Sequence, residues 1–436
     1  MRVRSVVNTG FLEKFGLAAV LAAAIIATSC GDTFRPVAAP ITTPSGDPSI
    51  SHFMFVVSAN APASAGSVSQ VDVSGDTNIG AIRASVGPVH AGFSPPGRSQ
   101  VFVANRDDDT VTSYFPSISS IPPTTIKLSP GVHHAPVYVA STNSSKMFVA
   151  EAATNSVGMI SSGVHTLLSE IAVGTTPVAL VGTADGKKIY SINQASNDLS
   201  AIDVASGTVI TTVAVGTSPV WGQLSPDGLA IYILNQGSND ISVIDTTTDA
   251  VIATIPVGAS PNYMFLNSKT NRLFVSNPGD NTISVLDVSQ TVPTSLPPIA
   301  IPAPGLTAVT ALGDGSRAYA VSFQGISGND VVLALTVIDA FSDTVSKTID
   351  LTQPVATNCG PDTSILTGVR FRAFVAAAAD STKVYVSSCD AGTTTILKTA
   401  RNLKVAAMPS PRSAFPPPAA KAQSPPQNPV FIVAGP

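Results

Sequence analysis

Five histidines, a run of three aspartates and three cysteines carry most of the chemistry available to this 436-residue chain. Asp107, Asp108 and Asp109 stand together in "NRDDDTV" (105–111). Hard carboxylate oxygens suit calcium, but the spacing matches no calcium loop, and related stretches carry Gly, Ser and Asn there. His133 and His134 adjoin a proline in "GVHHAP" (131–136). Such a pair can bind metal; we read it as an exposed loop. His52, His90 and His165 stand apart from one another. There is no G-x-S-x-G nucleophile elbow and no Gly-rich phosphate loop. The absence of any C-x-x-C removes support for zinc ribbons, thioredoxin-type redox chemistry and c-type haem attachment. From the sequence we therefore assign no catalytic residue, no metal ligand and no cofactor.

The elements that would position such groups are written in a repeat. "IYILNQGSNDISVIDTTTDAVIATIPVGASP" (231–261) restates "IYSINQASNDLSAIDVASGTVITTVAVGTSP" (189–219) after 42 residues. Aligned on "IYILN", eight copies begin at Met54, Val101, Met147, Ile189, Ile231, Leu273, Ala318 and Val384, spaced 47, 46, 42, 42, 42, 45 and 66 residues apart. Each copy has the same grammar. A strand ends at Asn or Ser and is followed by a polar loop. A second strand often ends in Asp, as at Asp72, Asp203, Asp245, Asp287 and Asp339. A small turn, a third strand, "SP" or "TP" and a fourth strand follow. Asp before Ser, Thr or Gly forms an Asx-turn, so we read these aspartates as turn caps rather than as an acidic ring. A sheet of four short strands with two apolar faces cannot stand alone, and stacking such sheets buries both. Short strands at a period in the low forties predict an all-β chain, a β-propeller of four-stranded antiparallel blades. Eight blades are favoured and seven are the alternative. In the eight-bladed reading "NPVFIVAGP" (428–436) supplies the strand that the first copy lacks. The proline-rich stretch at about 409–427 is a loop before it.

The phrase at 231–261 resembles the YVTN-family β-propeller repeat, a relative of the WD-type propellers. The likeness covers roughly residues 51–403 and is strongest over 177–288. The resemblance implies that the fourth strand is the innermost one, where small residues are common. This chain instead places His90, Tyr138 and Trp221, its only tryptophan, two residues after a proline, with Tyr263 at the same position and Ala179 the small exception. If these strands converge on the axis, His90, Tyr138, Trp221 and Tyr263 crowd one mouth of a central channel, where aromatic faces suit stacking on sugars or other flat ligands. The competing reading is that the rings fill the channel.

The N-terminus addresses the chain. Arg2, Arg4 and Lys14 precede the apolar "GLAAVLAAAIIATS" (16–29), which has the pattern of an export signal. It ends in "ATSC" (27–30), which resembles the lipobox of bacterial lipoproteins, with Ala27 where leucine is more usual. The resemblance implies a signal peptide over 1–29, lipidation at Cys30, a Pro/Thr/Ala-rich tether over 30–51 and a propeller over 52–436. Cys359 and Cys389 then remain as an even pair, suited to a disulfide in an oxidising compartment. A net charge of −4, with only 11% charged residues, argues against nucleic acid. The expected partners are a membrane, through the lipid, and an envelope protein or glycan. The expected place is the periplasmic face or the cell surface. We read the function as a non-catalytic binding scaffold. The alternatives are a propeller enzyme of lactonase, lyase or oxidoreductase type with its site at the channel, and a structural envelope or surface-layer protein.

Overall fold

The computed structural model describes residues 53–59, 65–75, 77–94, 100–116, 121–142, 144–357, 359, 371–410 and 428–434. The expected signal peptide, Cys30 and the tether lie outside these residues, as does most of the proline-rich loop. No helix occurs among the described residues. They form eight antiparallel sheets, each with a core of four strands, arranged as an eight-bladed propeller.

Each repeated phrase straddles two blades, because its fourth strand pairs with the next copy. The inner strands of blades 2 to 8 are Pro88–Phe93, Pro136–Ser141, Pro177–Gly182, Pro219–Leu224, Tyr263–Asn267, Leu306–Ala311 and Ala373–Ala377. Blade 1 takes its inner strand, Asn428–Ala434, from the other end of the chain, antiparallel to Phe53–Ala59. That strand also contacts the inner strands of blades 8 and 2, which closes the ring.

The burial pattern follows from the stacking. Strands next to the inner one, such as Ala230–Asn235, are buried along their whole length because a neighbouring blade covers each face. The second residues of the eight aligned copies lie on these strands: Phe55, Phe102, Phe148, Tyr190, Tyr232, Phe274, Tyr319 and Tyr385, none more than 1% exposed. Each such ring contributes roughly 2–3 kcal/mol through burial. Outer strands such as Ala250–Pro256 face solvent over most of their length. In blade 6 the outer strand breaks into Thr294–Ser295 and Ile299–Ala300 around Pro297 and Pro298, which have no N–H to donate to the ladder. Blade 7 carries a long hairpin, Arg317–Ser327 with Asp330–Asp339, within the lengthened seventh spacing.

Polar side chains fasten one blade to the next. Asn155, Asn197, Asn239 and Asn281 have φ of 56°, 57°, 57° and 56°. Each amide oxygen accepts a backbone N–H from the following blade: Thr176 at 2.8 Å, Ser218 at 2.7 Å, Ser260 at 2.7 Å and Leu306 at 3.2 Å. Asparagine tolerates this left-handed conformation better than most residues. A second tie uses a cation opening the strand next to the inner one. Lys188 donates to Thr246 O in the next blade at 2.8 Å, and Arg317 and Lys383 likewise donate to Thr399 O and Val73 O. The Lys383 bond joins blade 8 to blade 1.

The strand-ending aspartates cap turns. Asp203 accepts the Ser206 N–H at 2.7 Å, Asp245 those of Thr247 and Thr248 at 2.8 Å, and Asp339 those of Phe341 and Ser342 at 3.0 and 3.1 Å. These donors hold the three carboxyls below the usual carboxylate range.

Candidate functional site

Six of the eight inner strands share a distortion that sets where their side chains point. A register shift falls between Pro88 and His90, Pro136 and Tyr138, Pro177 and Ala179, Pro219 and Trp221, and Leu306 and Ala308. The same shift lies opposite Phe431, between Val57 and Ser58. Such a bulge re-aims the side chain that follows it. By pairing register the equivalent residues of blades 1 to 8 are Phe431, His90, Tyr138, Ala179, Trp221, Tyr263, Ala308 and Phe374.

Six of these eight are rings, and they form a closed circuit. Centroid distances run 4.6 Å from Phe431 to His90, 3.9 Å to Tyr138, 5.5 Å to Trp221, 4.8 Å to Tyr263, 5.3 Å to Phe374 and 5.0 Å back to Phe431. The circuit steps over blades 4 and 7, where alanine leaves room for the larger rings beside it. Phe371 adds a seventh ring against Tyr263 and Phe374. His90 and Tyr138 are stacked, while Tyr138 and Trp221 meet edge to face, both favourable geometries.

The structure therefore brings the four sequence-predicted residues together, and the rings spend most of their surface on one another. His90 and Trp221 are 8% exposed and Tyr263 9%; Tyr138 is half-buried. Two members escape the sequence reading. Phe431 had a signal, because "PVF" repeats the register of "PVH", "PVY" and "PVW". Phe374 had none, since Arg372 stands where the proline would be.

His90 is built to stay neutral. Burial lowers its pKa to about 3, and its Nδ1 accepts the Val139 N–H at 3.3 Å. Burial also raises the pKa values of the Tyr138 and Tyr263 hydroxyls. At neutral pH these groups offer faces and dipoles rather than charge.

The aspartate run is occupied by local bonds. Asp107 pairs with Arg106 at 2.7 Å, and Asp108 accepts from Thr110 at 2.7 Å and from Ser85. Asp109, at φ 56°, takes the place of the left-handed asparagines and accepts the N–H groups of His134 at 2.7 Å and Ala135 at 3.0 Å. The exposed-loop reading of the histidine pair holds for His133 and fails for His134, whose side chain is 1% exposed. Asp109 draws the His134 backbone inward, and Glu151 receives the ring.

His134, Glu151 and Glu170 each place a ligand-type atom within 4.8 Å of the others. His134 Nδ1 lies 2.9 Å from Glu151 Oε2 and 3.7 Å from Glu170 Oε1. Burial pushes the Glu151 carboxyl up. Burial opposes charge on His134 as well, but bonds to Glu151 and to the Ser129 carbonyl outweigh it and raise its pKa. The sequence carried a signal: Glu151 ends "MFVAE" where the other copies end in Asn or Ser. Cys359 and Cys389 form a disulfide, with Cα atoms 5.9 Å apart.

No protein-family model and no curated protein matches the chain. Among solved structures it is similar to the dihydro-heme d1 dehydrogenase NirN in complex with DHE, at 15% identity, 92% of this chain, 78% of that one and a TM-score of 0.62. It is similar to apo AztD from Citrobacter koseri, at 13% identity, 88% and 98% coverage and a TM-score of 0.59. It is also similar to a functionally unknown protein from Desulfotomaculum acetoxidans DSM 771, at 12% identity, 82% and 95% coverage and a TM-score of 0.54. At these identities the likeness is one of fold, and a fold hosts many functions.

Proposed function

We propose that this chain is a non-catalytic binding scaffold, lipid-anchored through Cys30 and presenting its propeller on the extracytoplasmic side to an envelope protein or glycan. The observation that carries the reading is the closed aromatic circuit at the axis. A channel enzyme needs acids, bases or ligands that converge there and reach a substrate. Here the equivalent inner positions hold four carbon-only or phenolic rings, an indole, two alanine methyl-sized gaps and one imidazole held neutral by burial. The rigid ring then serves to fix the hairpin turns around its two faces, and recognition falls to them.

The test is capture from native envelope by the full chain, beside a Trp221→Ala/Tyr263→Ala variant whose circular dichroism confirms the fold. We expect the same partner to be captured by both. A partner lost in the variant would move recognition to the aromatic mouth. No partner captured by either, at several salt concentrations, would contradict the scaffold reading.

A further inference from the structure

We propose that His134, Glu151 and Glu170 form a site for one divalent first-row transition cation on blade 3. Blade 3 departs locally from the repeat. In four other blades a buried asparagine ends the strand next to the inner one, and its Nδ2 donates to a hydroxyl seven residues on: Asn105 to Thr112 at 2.9 Å, Asn193 to Ser200 at 3.0 Å, Asn235 to Ser242 at 2.9 Å and Asn277 to Ser284 at 2.9 Å. Blade 3 changes both partners. Glu151 replaces the asparagine and Gly158 replaces the hydroxyl residue. A neutral pair joined by one hydrogen bond becomes a carboxylate beside a glycine.

The space beside this glycine has a shape. A Cβ on Gly158 would stand 2.3 Å from Glu151 Oε1. Gly158 pairs directly with Glu170 on the outer strand Thr166–Ala172, and directly opposed residues of an antiparallel pair project to the same face. The glycine therefore clears room between two carboxylates. Glu151 is fully buried and its Oε1 has no hydrogen-bond partner. A buried carboxylate oxygen left without a donor is costly, and a cation would satisfy it.

The third donor is oriented for the purpose. His134 Nε2 lies 2.9 Å from the Ser129 carbonyl. An N–H there leaves Nδ1 facing the two carboxylates, with the Thr154 hydroxyl 3.4 Å away. A ring whose other nitrogen is tied to a carbonyl is the usual arrangement of a metal-bound histidine. Ser129 also donates its N–H to Glu170 Oε1 at 3.1 Å, so one residue holds two of the donors. Ser156 Oγ donates to Glu151 Oε2 at 2.6 Å and Thr154 Oγ1 at 3.4 Å, fixing the third. Bonds of about 2.1 Å in tetrahedral geometry require donors about 3.4 Å apart. From His134 Nδ1 the distances are 2.9 Å to Glu151 Oε2, the partnered oxygen of that carboxylate, and 3.7 Å to Glu170 Oε1, on either side of that value. One imidazole and two carboxylates suit zinc, manganese or ferrous ions rather than copper(I) or a cluster, which want sulfur.

The test uses the untagged full chain, stripped with a chelator and titrated calorimetrically with Zn2+, with Mn2+ and Ca2+ run for comparison. The decisive variant is Glu151→Asn/Gly158→Ser, which writes into blade 3 the pair that blades 4 and 5 already use, so the fold is kept. A His133→Ala variant controls for the exposed neighbouring ring. We expect the wild type and His133→Ala to bind one equivalent of Zn2+ and to melt at higher temperature in its presence. The double variant should bind at least tenfold more weakly and show no such shift. Binding of equal strength in wild type and double variant, or none in the wild type, would overturn the site.

Discussion

At the scale of single residues, His90 makes the sharpest claim. Its folded-state pKa lies near 3, against 6.5 when free. The unfolded chain therefore binds a proton that the folded chain refuses between those values. Stability rises with pH across that window and falls as pH drops from about 6.5. The turn-capping aspartates act in the same direction at lower pH, because their carboxyls are held below the usual range and their contribution is lost as pH falls through it. His90→Phe removes the first of these effects and keeps a ring in the circuit. Going from pH 7 to pH 5, the wild type should lose on the order of 2 kcal/mol relative to this variant. Urea midpoints at the two pH values measure it, and a difference independent of pH would contradict the burial of the imidazole. Much of this scale was legible in the sequence. The proline-x-aromatic register located His90, Tyr138, Trp221 and Tyr263, because a repeat fixes which positions are equivalent. What was not legible was packing. His134 reads as a loop residue until Glu151 is seen behind it, and Phe374 lacks the proline that marks its peers.

At the scale of elements, the polar loops turn out to be joints. Asn239 combines a left-handed backbone with an amide oxygen that caps Ser260 in the next blade. Two substitutions separate these roles. Asn239→Gly keeps the conformation and loses the cap, and should cost about 1 kcal/mol. Asn239→Ala loses both, and should cost about 2–3 kcal/mol, since alanine at positive φ adds roughly 1–2 kcal/mol. Chemical denaturation gives the order; equal losses would show that the backbone conformation carries no strain. The four-strand grammar, the Asx-turns and the closing strand were all readable, because alternation, turn residues and period are properties of the chain itself. The ties between blades were not, because Asn239 and Ser260, or Lys383 and Val73, meet only after the ring has formed.

At the scale of the whole molecule, closure is what makes the parts work. Blade 1 is complete only when Asn428–Ala434 returns to Phe53–Ala59, and that strand also delivers Phe431, the ring that closes the aromatic circuit between His90 and Phe374. The two closures are one event, so the axis is filled only in the finished ring. The sequence favoured eight blades over seven and left open whether the rings of the fourth strands line a mouth or fill a channel. The deciding factor is the count of rings around the axis, six of eight positions, with Ala179 and Ala308 making room for their neighbours. The account rests on that filled axis, and the chain supplies its own probe, since Trp221 is the only tryptophan. The most direct measurement is acrylamide quenching of its fluorescence in the native full chain and again in urea. The account predicts a blue-shifted emission that is weakly quenched until the ring unfolds. Quenching as ready in the native protein as in urea would mean an open mouth with its rings facing water, and would contradict the filled axis and the scaffold reading built on it.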